Sequence, residues 1–178
     1  MKILVGIALL SCVSFVLKAQ KFSSTKSEVS FYSEASIEDI SATNKEGSSI
    51  FDLQSGEIAF IIPISAFEFE KSLMQEHFNE KYMESDKHPR ATFEGIITGY
   101  SKDIATPQSV IAKGKLTIHG VTRSASVEGT LLLQGERTKV NAKFVVRLED
   151  HKVKIPKLLW SNIAEEVEVE VDFDYSKM

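Results

Sequence analysis

The side chains best suited to metal binding or general acid–base chemistry in this sequence are its four histidines. Two imidazoles share a metal ion most readily when they stand four residues apart on a helix or close together in one loop. No histidine pair here has such a spacing, and Glu76 beside a lone histidine does not make a zinc-hydrolase motif. The sequence therefore predicts no catalytic histidine and no metal site, the alternative being a metal site that long-range folding assembles. The four histidines are His77, His88, His119 and His151.

The sequence also contains no motif for a nucleophilic active site or for a pair of catalytic carboxylates. The sequence contains no G-x-S-x-G elbow and no glycine-rich phosphate loop. The acids between residues 165 and 174 alternate with apolar residues, which is typical of the solvated face of a strand and not of a general acid–base pair. We therefore predict a protein without enzymatic activity and without a cofactor of its own. An enzyme is the alternative, although the sequence names no nucleophile, base or metal site for it.

Composition and charge narrow the class of partner. The chain has 178 residues, of which 43% are hydrophobic and 26% charged, as in ordinary globular domains. Its formal net charge of -4 argues against nucleic acid as a partner, because binding the phosphate backbone requires a basic face. The length matches one domain with a substantial core.

The N-terminus has the pattern of a secretory signal peptide. Lys2 precedes an apolar run over residues 3–17, and small Ala19 follows. The run is shorter than the ~20 residues that a membrane-spanning helix needs. We predict cleavage after Ala19, a signal peptide over 1–19, a mature domain over 20–178 without a transmembrane span, and a periplasmic or secreted location. The alternative is lipoprotein acylation at Cys12, which would tether the chain by its N-terminus.

Most of the mature chain follows the period of two that is typical of strands with one buried face. In 167–175 every odd residue is apolar and every even residue before Tyr175 is acidic. Such strands pair in antiparallel sheets with one wet face, and turn residues such as Gly47 and His119-Gly120 separate them. Eight or nine strands are enough for a barrel or a sandwich. They are predicted near 22–32, 37–44, 48–53, 58–64, 92–100, 110–118, 125–131, 140–148 and 167–175.

Two segments depart from the strand period. Residues 67–83 have the apolar stripe of one amphipathic helix, which either covers the core or gates a ligand site. Its apolar face is predicted from Leu73, Met74, Phe78 and Tyr82. The second segment, Leu158-Leu159-Trp160, is unfavourable in water unless it packs on the barrel rim or contacts lipid.

Three motifs carry a resemblance to a known family. Residues 114–123, Gly-Lys-Leu-Thr-Ile-His-Gly-Val-Thr-Arg, closely resemble the strand–turn–strand signature of the YceI-like, polyisoprenoid-binding proteins. Residues 73–78 with 88–93 resemble that family's helix and its following strand entry, and 27–31 its first strand. The resemblance runs from about residue 22 to 175. The family's usual Arg-Asp pair before the helix is replaced by Phe-Glu-Lys-Ser at 69–72.

The resemblance implies an all-β fold: a single antiparallel, lipocalin-like barrel of about eight strands with one short helix and a long apolar tunnel. It also implies export, an isoprenoid or quinone-like lipid as ligand, and no established enzymatic mechanism. We therefore predict a non-enzymatic carrier or reservoir for such a lipid. The alternative is a barrel with a filled core that binds a protein through its outer surface. The sequence does not decide between a monomer and a homodimer.

Small residues on the predicted inward faces favour a cavity, because an eight-stranded barrel is either just filled or holds one small ligand. Alternatively, the strand glycines mark bulges or bends. Substitution to phenylalanine at Gly129 or Ala142 would test for a cavity by filling it. The predicted lining consists of Phe60, Ile62, Leu73, Met74, Phe78, Ala112, Gly114, Leu116, Ala125, Val127, Gly129, Leu131, Ala142, Phe144 and Phe173.

Overall fold

The computed structural model describes residues 20–34, 39–154 and 165–178. Most of these residues lie in antiparallel strands, and a single helical segment of two parts interrupts them. This segment is α1 (Ser72–His77), which continues as a wider π-type turn over Phe78–Tyr82. Short 3-10 turns occupy Ile64–Ala66 and Leu148–His151. The strands are β1 (Lys21–Ser33), β2 (Ile40–Asn44), β3 (Ser48–Asp52), β4 (Glu57–Pro63), β5 (Glu68–Phe69), β6 (Arg90–Thr98), β7 (Gln108–Ile118), β8 (Val121–Gln134), β9 (Arg137–Arg147) and β10 (Glu166–Lys177).

Some predictions fall outside these ranges. The predicted leader 1–19, with Cys12 and the cleavage point after Ala19, is one of them, and the Leu158-Leu159-Trp160 segment is the other. Within the described ranges, no helical segment has the length and apolar character that crossing a bilayer requires.

Eight strands close into a barrel. Neighbours follow the order β10, β9, β8, β7, β6, β4, β3, β1, and the ring closes where β1 pairs with β10 from Phe22↔Lys177 to Tyr32↔Glu168. Every pairing in the ring is antiparallel. The predicted eight-stranded antiparallel barrel with one short helix is therefore confirmed. Closure satisfies the backbone groups that an open sheet would leave unpaired at its edges.

The chain does not reverse at Gly47, where a turn was predicted. β2 and β3 both pair with the same edge of β1, at residues 29–33 and 21–23, so they form one interrupted line. A Cβ atom at Gly47 would lie 2.8 Å from the Ile62 side chain and 3.0 Å from that of Phe173. The glycine is needed here because two interior side chains pack against its backbone.

One end of the barrel is filled with side chains, and we call it the filled end. Phe173 and Leu131 are fully buried there. The Tyr175 hydroxyl donates a 2.7 Å hydrogen bond to Ser49 Oγ, and burial raises the pKa of this phenol. The large side chains that fill this end come from four strands and the loop after β3: Phe22, Phe51, Leu53, Leu131, Leu133, Phe173 and Tyr175.

The helical segment is anchored at the opposite end by a four-phenylalanine cluster of Phe31, Phe67, Phe69 and Phe78. The ring of Phe78 stacks on Phe31 at 5.6 Å and lies 5.0 Å from Phe69 and 5.6 Å from Phe67. Aromatic pairs at these separations add stabilisation beyond the area that they bury. The cluster holds the helix across the barrel mouth.

Ion pairs cover the outer face of β9 and β10. Lys139 Nζ lies 2.9 Å from Asp172, and Lys143 Nζ lies 2.8 Å from Glu170. Hydrogen bonds from Lys143 to Glu168 and Glu170 raise the pKa of this lysine to about 12. The alternating acids of β10 therefore form a solvated, charge-paired face, as the sequence indicated.

Candidate ligand-binding cavity

The half of the barrel away from the filled end contains an apolar cavity of about 430 Å³. Its walls come from the inward faces of seven barrel strands, and its mouth is formed by the helical segment and the ends of the strands. Phe60 marks the boundary with the filled end, since its ring meets that of Phe173 edge-on at 5.0 Å. The cavity lies within the 300–1,000 Å³ range of small-molecule sites.

The lining is almost free of polar groups. Among the described residues that line the cavity, none is an acid, a lysine or an arginine. The polar residues are Ser33, His77, Tyr82 and Thr92. All four belong to the open end. Ser33 is the last residue of β1, His77 and Tyr82 lie in the helical segment, and Thr92 is the third residue of β6. A bound ligand therefore contacts hydrocarbon groups deep in the cavity and polar atoms at its mouth.

Small side chains keep the cavity open on one wall. Ala112 on β7 and Val127 on β8 are register partners, and Ala142 on β9 faces the same space. Larger inward residues such as Phe93 and Phe144 are only partly buried, because they face the cavity and not a packed core. The alternation of the strands thus directs apolar atoms into an open volume.

The sequence of this barrel matches the model of a known family over residues 20–175. That family is the YceI-like domain. The chain belongs to it. The resemblance that the sequence motifs indicated is therefore confirmed, with nearly the same limits along the chain.

Solved structures share the fold of this YceI-like domain. BcnA of Burkholderia cenocepacia is 19% identical, with a TM-score of 0.71, and the match covers 83% of this chain and 95% of that one. A polyisoprenoid-binding domain from Saccharophagus degradans is 16% identical, with a TM-score of 0.76 and coverage of 88% and 98%. The YceI protein of Campylobacter jejuni is 16% identical, with a TM-score of 0.62 and coverage of 82% and 88%. Among curated proteins, none matches the sequence.

Nine of the predicted lining residues face the cavity of the YceI-like domain. They come from four barrel strands and the helical segment, which the fold brings around one volume. They are Phe60, Ile62, Met74, Phe78, Ala112, Leu116, Val127, Ala142 and Phe144.

Three other residues that were predicted to line the cavity do not face it, because of their places in the barrel and on the helix. Leu131 and Phe173 have no exposed surface because they are packed within the filled end, and the ring of Phe60 lies between Phe173 and the open volume. Leu73 is 59% exposed. The helix directs Met74 and Phe78, one turn apart, into the cavity, and Leu73 lies about 100° around the helix from Met74.

Gly114, Ala125 and Gly129 also do not line the cavity. A Cβ atom at Gly114 would lie 2.1 Å from the carbonyl oxygen of Glu94, and one at Gly129 would lie 2.5 Å from that of Asn141. Ala125 is the register partner of Gly114. The glycines therefore permit close approach of neighbouring strands and do not make room for a ligand. Phenylalanine at Gly129 would distort the wall, so Ala142 is the better position for a volume test.

Gly114→Ala is expected to lower the free energy of unfolding by about 1–3 kcal/mol, because the new methyl group forces β6 and β7 apart. Urea denaturation followed by circular dichroism measures this loss. Lys113→Ala, at the exposed neighbouring position, is the control and should change the value by less than about 0.5 kcal/mol. Equal stability of Gly114→Ala and the parent would contradict the close approach described here.

Several lining residues were missed by sequence reasoning. Val29 and Phe31 alternate along β1, and Val167, Val169 and Val171 alternate along β10, so their periodicity was available as a signal. Ile118 and Leu148 continue the alternation of β7 and β9, so the same signal was available for them, whereas no local pattern distinguishes Val153, which follows a 3-10 turn.

Proposed function

We propose that this YceI-like domain binds the hydrocarbon chain of an isoprenoid or similar lipid in its cavity. The single observation that carries the proposal is an open volume of about 430 Å³ whose described lining has no acid, lysine or arginine. Each methylene moved from water into such a lining contributes roughly 0.8 kcal/mol. Ordering of the flexible chain and loss of its translational freedom offset part of this gain.

The cavity volume limits how much of a ligand it holds. One benzene occupies an apolar cavity of roughly 150 Å³, which corresponds to about 25 Å³ per carbon atom. At that density about 430 Å³ accommodates about 17 carbons, or about three isoprene units. A longer chain would have to extend through the mouth.

The distribution of polar residues supports one orientation of the ligand. His77 and Tyr82 from the helical segment, with Ser33 at the end of β1, place polar groups at the open end. A lipid that enters tail first leaves its head group, such as a quinone ring or an alcohol, near these side chains. The reverse orientation would bury polar atoms among hydrocarbon without hydrogen-bond partners, at a cost of a few kcal/mol.

The proposed role is that of an exported carrier or reservoir that binds a lipid without transforming it. The signal-peptide pattern of 1–19 supports action outside the cytoplasm. The Saccharophagus degradans relative of the same fold is itself described as a polyisoprenoid-binding domain. The alternative, an outer-surface interaction module, presupposes a filled interior, and the open half of the barrel favours lipid binding over it.

Native mass spectrometry of the protein, purified gently from its own host, tests the proposal. We expect a stoichiometric adduct that solvent extraction releases as an isoprenoid or another long-chain lipid of unchanged structure. Farnesol, with fifteen carbons, is the probe to add to protein that has been stripped of lipid. A clean apo mass, together with no uptake of farnesol or of a short-tailed quinone, would contradict lipid binding. Release of a chemically altered lipid from the adduct would contradict the non-enzymatic role but not the binding of lipid.

A further inference from the structure

Three side chains with metal-binding atoms lie together at the open end of the barrel, beside the cavity and not in its lining. The carboxylate of Glu84 and the imidazoles of His88 and His119 each offer an atom, and these atoms all lie within 4.8 Å of one another. His119 Nε2 is 3.3 Å from Glu84 Oε2, and the centres of the two imidazole rings are 4.5 Å apart. We call these three residues the rim cluster.

The fold positions the rim cluster from two separate elements. Glu84 and His88 belong to the turn after the helical segment, where the Glu84 carbonyl accepts 2.8 and 2.9 Å hydrogen bonds from the amides of Lys87 and His88. His119 lies in the β7–β8 turn with Gly120 beside it. A Cβ atom at Gly120 would lie 2.8 Å from the His88 ring, so the glycine makes room for this imidazole.

The hydrogen bonds of His119 determine which of its nitrogens carries a free lone pair. Its Nδ1 lies 3.2 Å from the backbone oxygen of His151, and a carbonyl oxygen only accepts, so Nδ1 carries the proton. Nε2 of the neutral ring therefore points a lone pair at the carboxylate of Glu84. In the neutral ring two electron-rich atoms face each other at 3.3 Å and can share a cation, whereas a second proton on Nε2 would make the contact an imidazolium–carboxylate pair.

This arrangement is also the one found around metal-bound histidines. Such an imidazole typically donates its second N–H to a backbone carbonyl or a carboxylate, which fixes the tautomer and the ring. The accepting carbonyl is itself held in place, because the His151 ring is 4% exposed and its Nδ1 donates a 3.0 Å hydrogen bond to the Val121 carbonyl. The second oxygen of Glu84 is paired with Lys87.

We propose that Glu84, His88 and His119 form a Zn²⁺ site that fastens the segment after the helix to the β7–β8 turn. Two nitrogen and one oxygen ligands leave a fourth tetrahedral position for water, as in sites with three protein ligands. Ligands bound at about 2.0 Å with tetrahedral angles lie about 3.3 Å from each other. The His119–Glu84 separation already has this value, and the ligand atom of His88, which lies within 4.8 Å of both, moves closer to complete the set.

The site would act on the mouth of the cavity. Met83 and Ile118, the chain neighbours of Glu84 and His119, both line the cavity. A metal ion that joins the two turns would therefore hold the helical segment against the rim and slow the exchange of a bound ligand. The site itself is independent of which ligand the cavity binds, and it does not depend on lipid binding at all.

Isothermal titration of Zn²⁺ into the full chain, made without a polyhistidine tag and freed of metal, tests the site. We expect one Zn²⁺ per chain and a rise in melting temperature with zinc, while Mg²⁺, which prefers oxygen ligands, gives neither. Glu84→Gln, His88→Ala and His119→Asn should each weaken binding more than about tenfold, because loss of an outer partner alone costs roughly 10- to 100-fold. Asparagine suits position 119 because φ there is 51°.

His77→Gln is the matched control, since it removes a partly buried imidazole that lies outside the rim cluster. It should leave zinc affinity unchanged. Zinc binding that survives all three rim variants, or that falls equally in His77→Gln, would overturn the proposal. So would the absence of zinc uptake by the parent chain. The visible spectrum of the Co²⁺-loaded parent reads out tetrahedral coordination directly, and thus decides the question even if a variant misfolds.

Discussion

Ala142→Phe should remove lipid binding from the barrel while leaving it folded. The alanine lines the cavity from β9, and a benzyl group there takes the space of one benzene, about a third of the volume. Displacing about six ligand carbons at about 0.8 kcal/mol each costs up to roughly 5 kcal/mol, and 1.4 kcal/mol corresponds to tenfold. We expect at least about a hundredfold weaker binding of farnesol, measured by fluorescence competition or native mass spectrometry.

The stability of the same variant separates filling from unfolding. Adding methylenes to a packed core costs about 1–3 kcal/mol, but here the new ring enters open space. The free energy of unfolding should therefore stay within about 1 kcal/mol of the parent. Val145→Phe is the matched control: it adds a ring on the same strand, but Val145 is 57% exposed on the outer face. This control should bind farnesol as the parent does.

A second filling variant on another strand guards against a local effect at position 142. Ala112→Leu adds apolar volume from β7 into the same cavity and should also weaken binding, by a smaller factor because the added group is smaller. Parent-like farnesol affinity in both Ala142→Phe and Ala112→Leu, with both folded, would mean that the ligand does not occupy this cavity. Such a result would favour the outer surface as the functional part of the molecule.

The strands could be predicted from the sequence because their signal is local. Along β10 each valine faces the interior and each acid faces solvent, where a lysine or arginine of β9 pairs with it, so both faces follow the same period of two. The helix was also visible as an interruption of that period, although it begins at Ser72 and not near Phe67, because 68–69 pair with β2 as a short strand. The family motif at 114–123 then added the closure of the barrel, which periodicity alone left open between barrel and sandwich.

The limits of the cavity could not be predicted in this way. Val127 and Leu131 lie on the same face of β8, four residues apart, yet one lines the cavity and the other is fully buried. The difference depends on what the opposite strands contribute at each height of the barrel, which is a long-range property. For the same reason the spacing of the histidines gave no sign of the rim cluster, since Glu84 and His119 are 35 residues apart.

The division of the barrel into a filled and an open half has an energetic consequence. Interior residues of one type should contribute differently to stability according to the half in which they lie. Phe173 and Phe144 provide a matched pair, because both are phenylalanines that point inward from the neighbouring strands β10 and β9. Phe173 is fully buried and packs against Phe60 at 5.0 Å, whereas Phe144 faces the cavity and is only partly buried.

Phe173→Ala is therefore expected to reduce the free energy of unfolding by about 3–5 kcal/mol, the usual cost of removing a fully packed aromatic side chain. Phe144→Ala should cost clearly less, about 1–2 kcal/mol, because part of its surface already faces open volume. Guanidinium unfolding of both variants measures the difference. Farnesol binding should persist in folded Phe173→Ala, since the change enlarges the cavity floor and removes none of its walls. Equal costs for the two variants would contradict the division into two halves, because each phenylalanine would then be packed to the same degree.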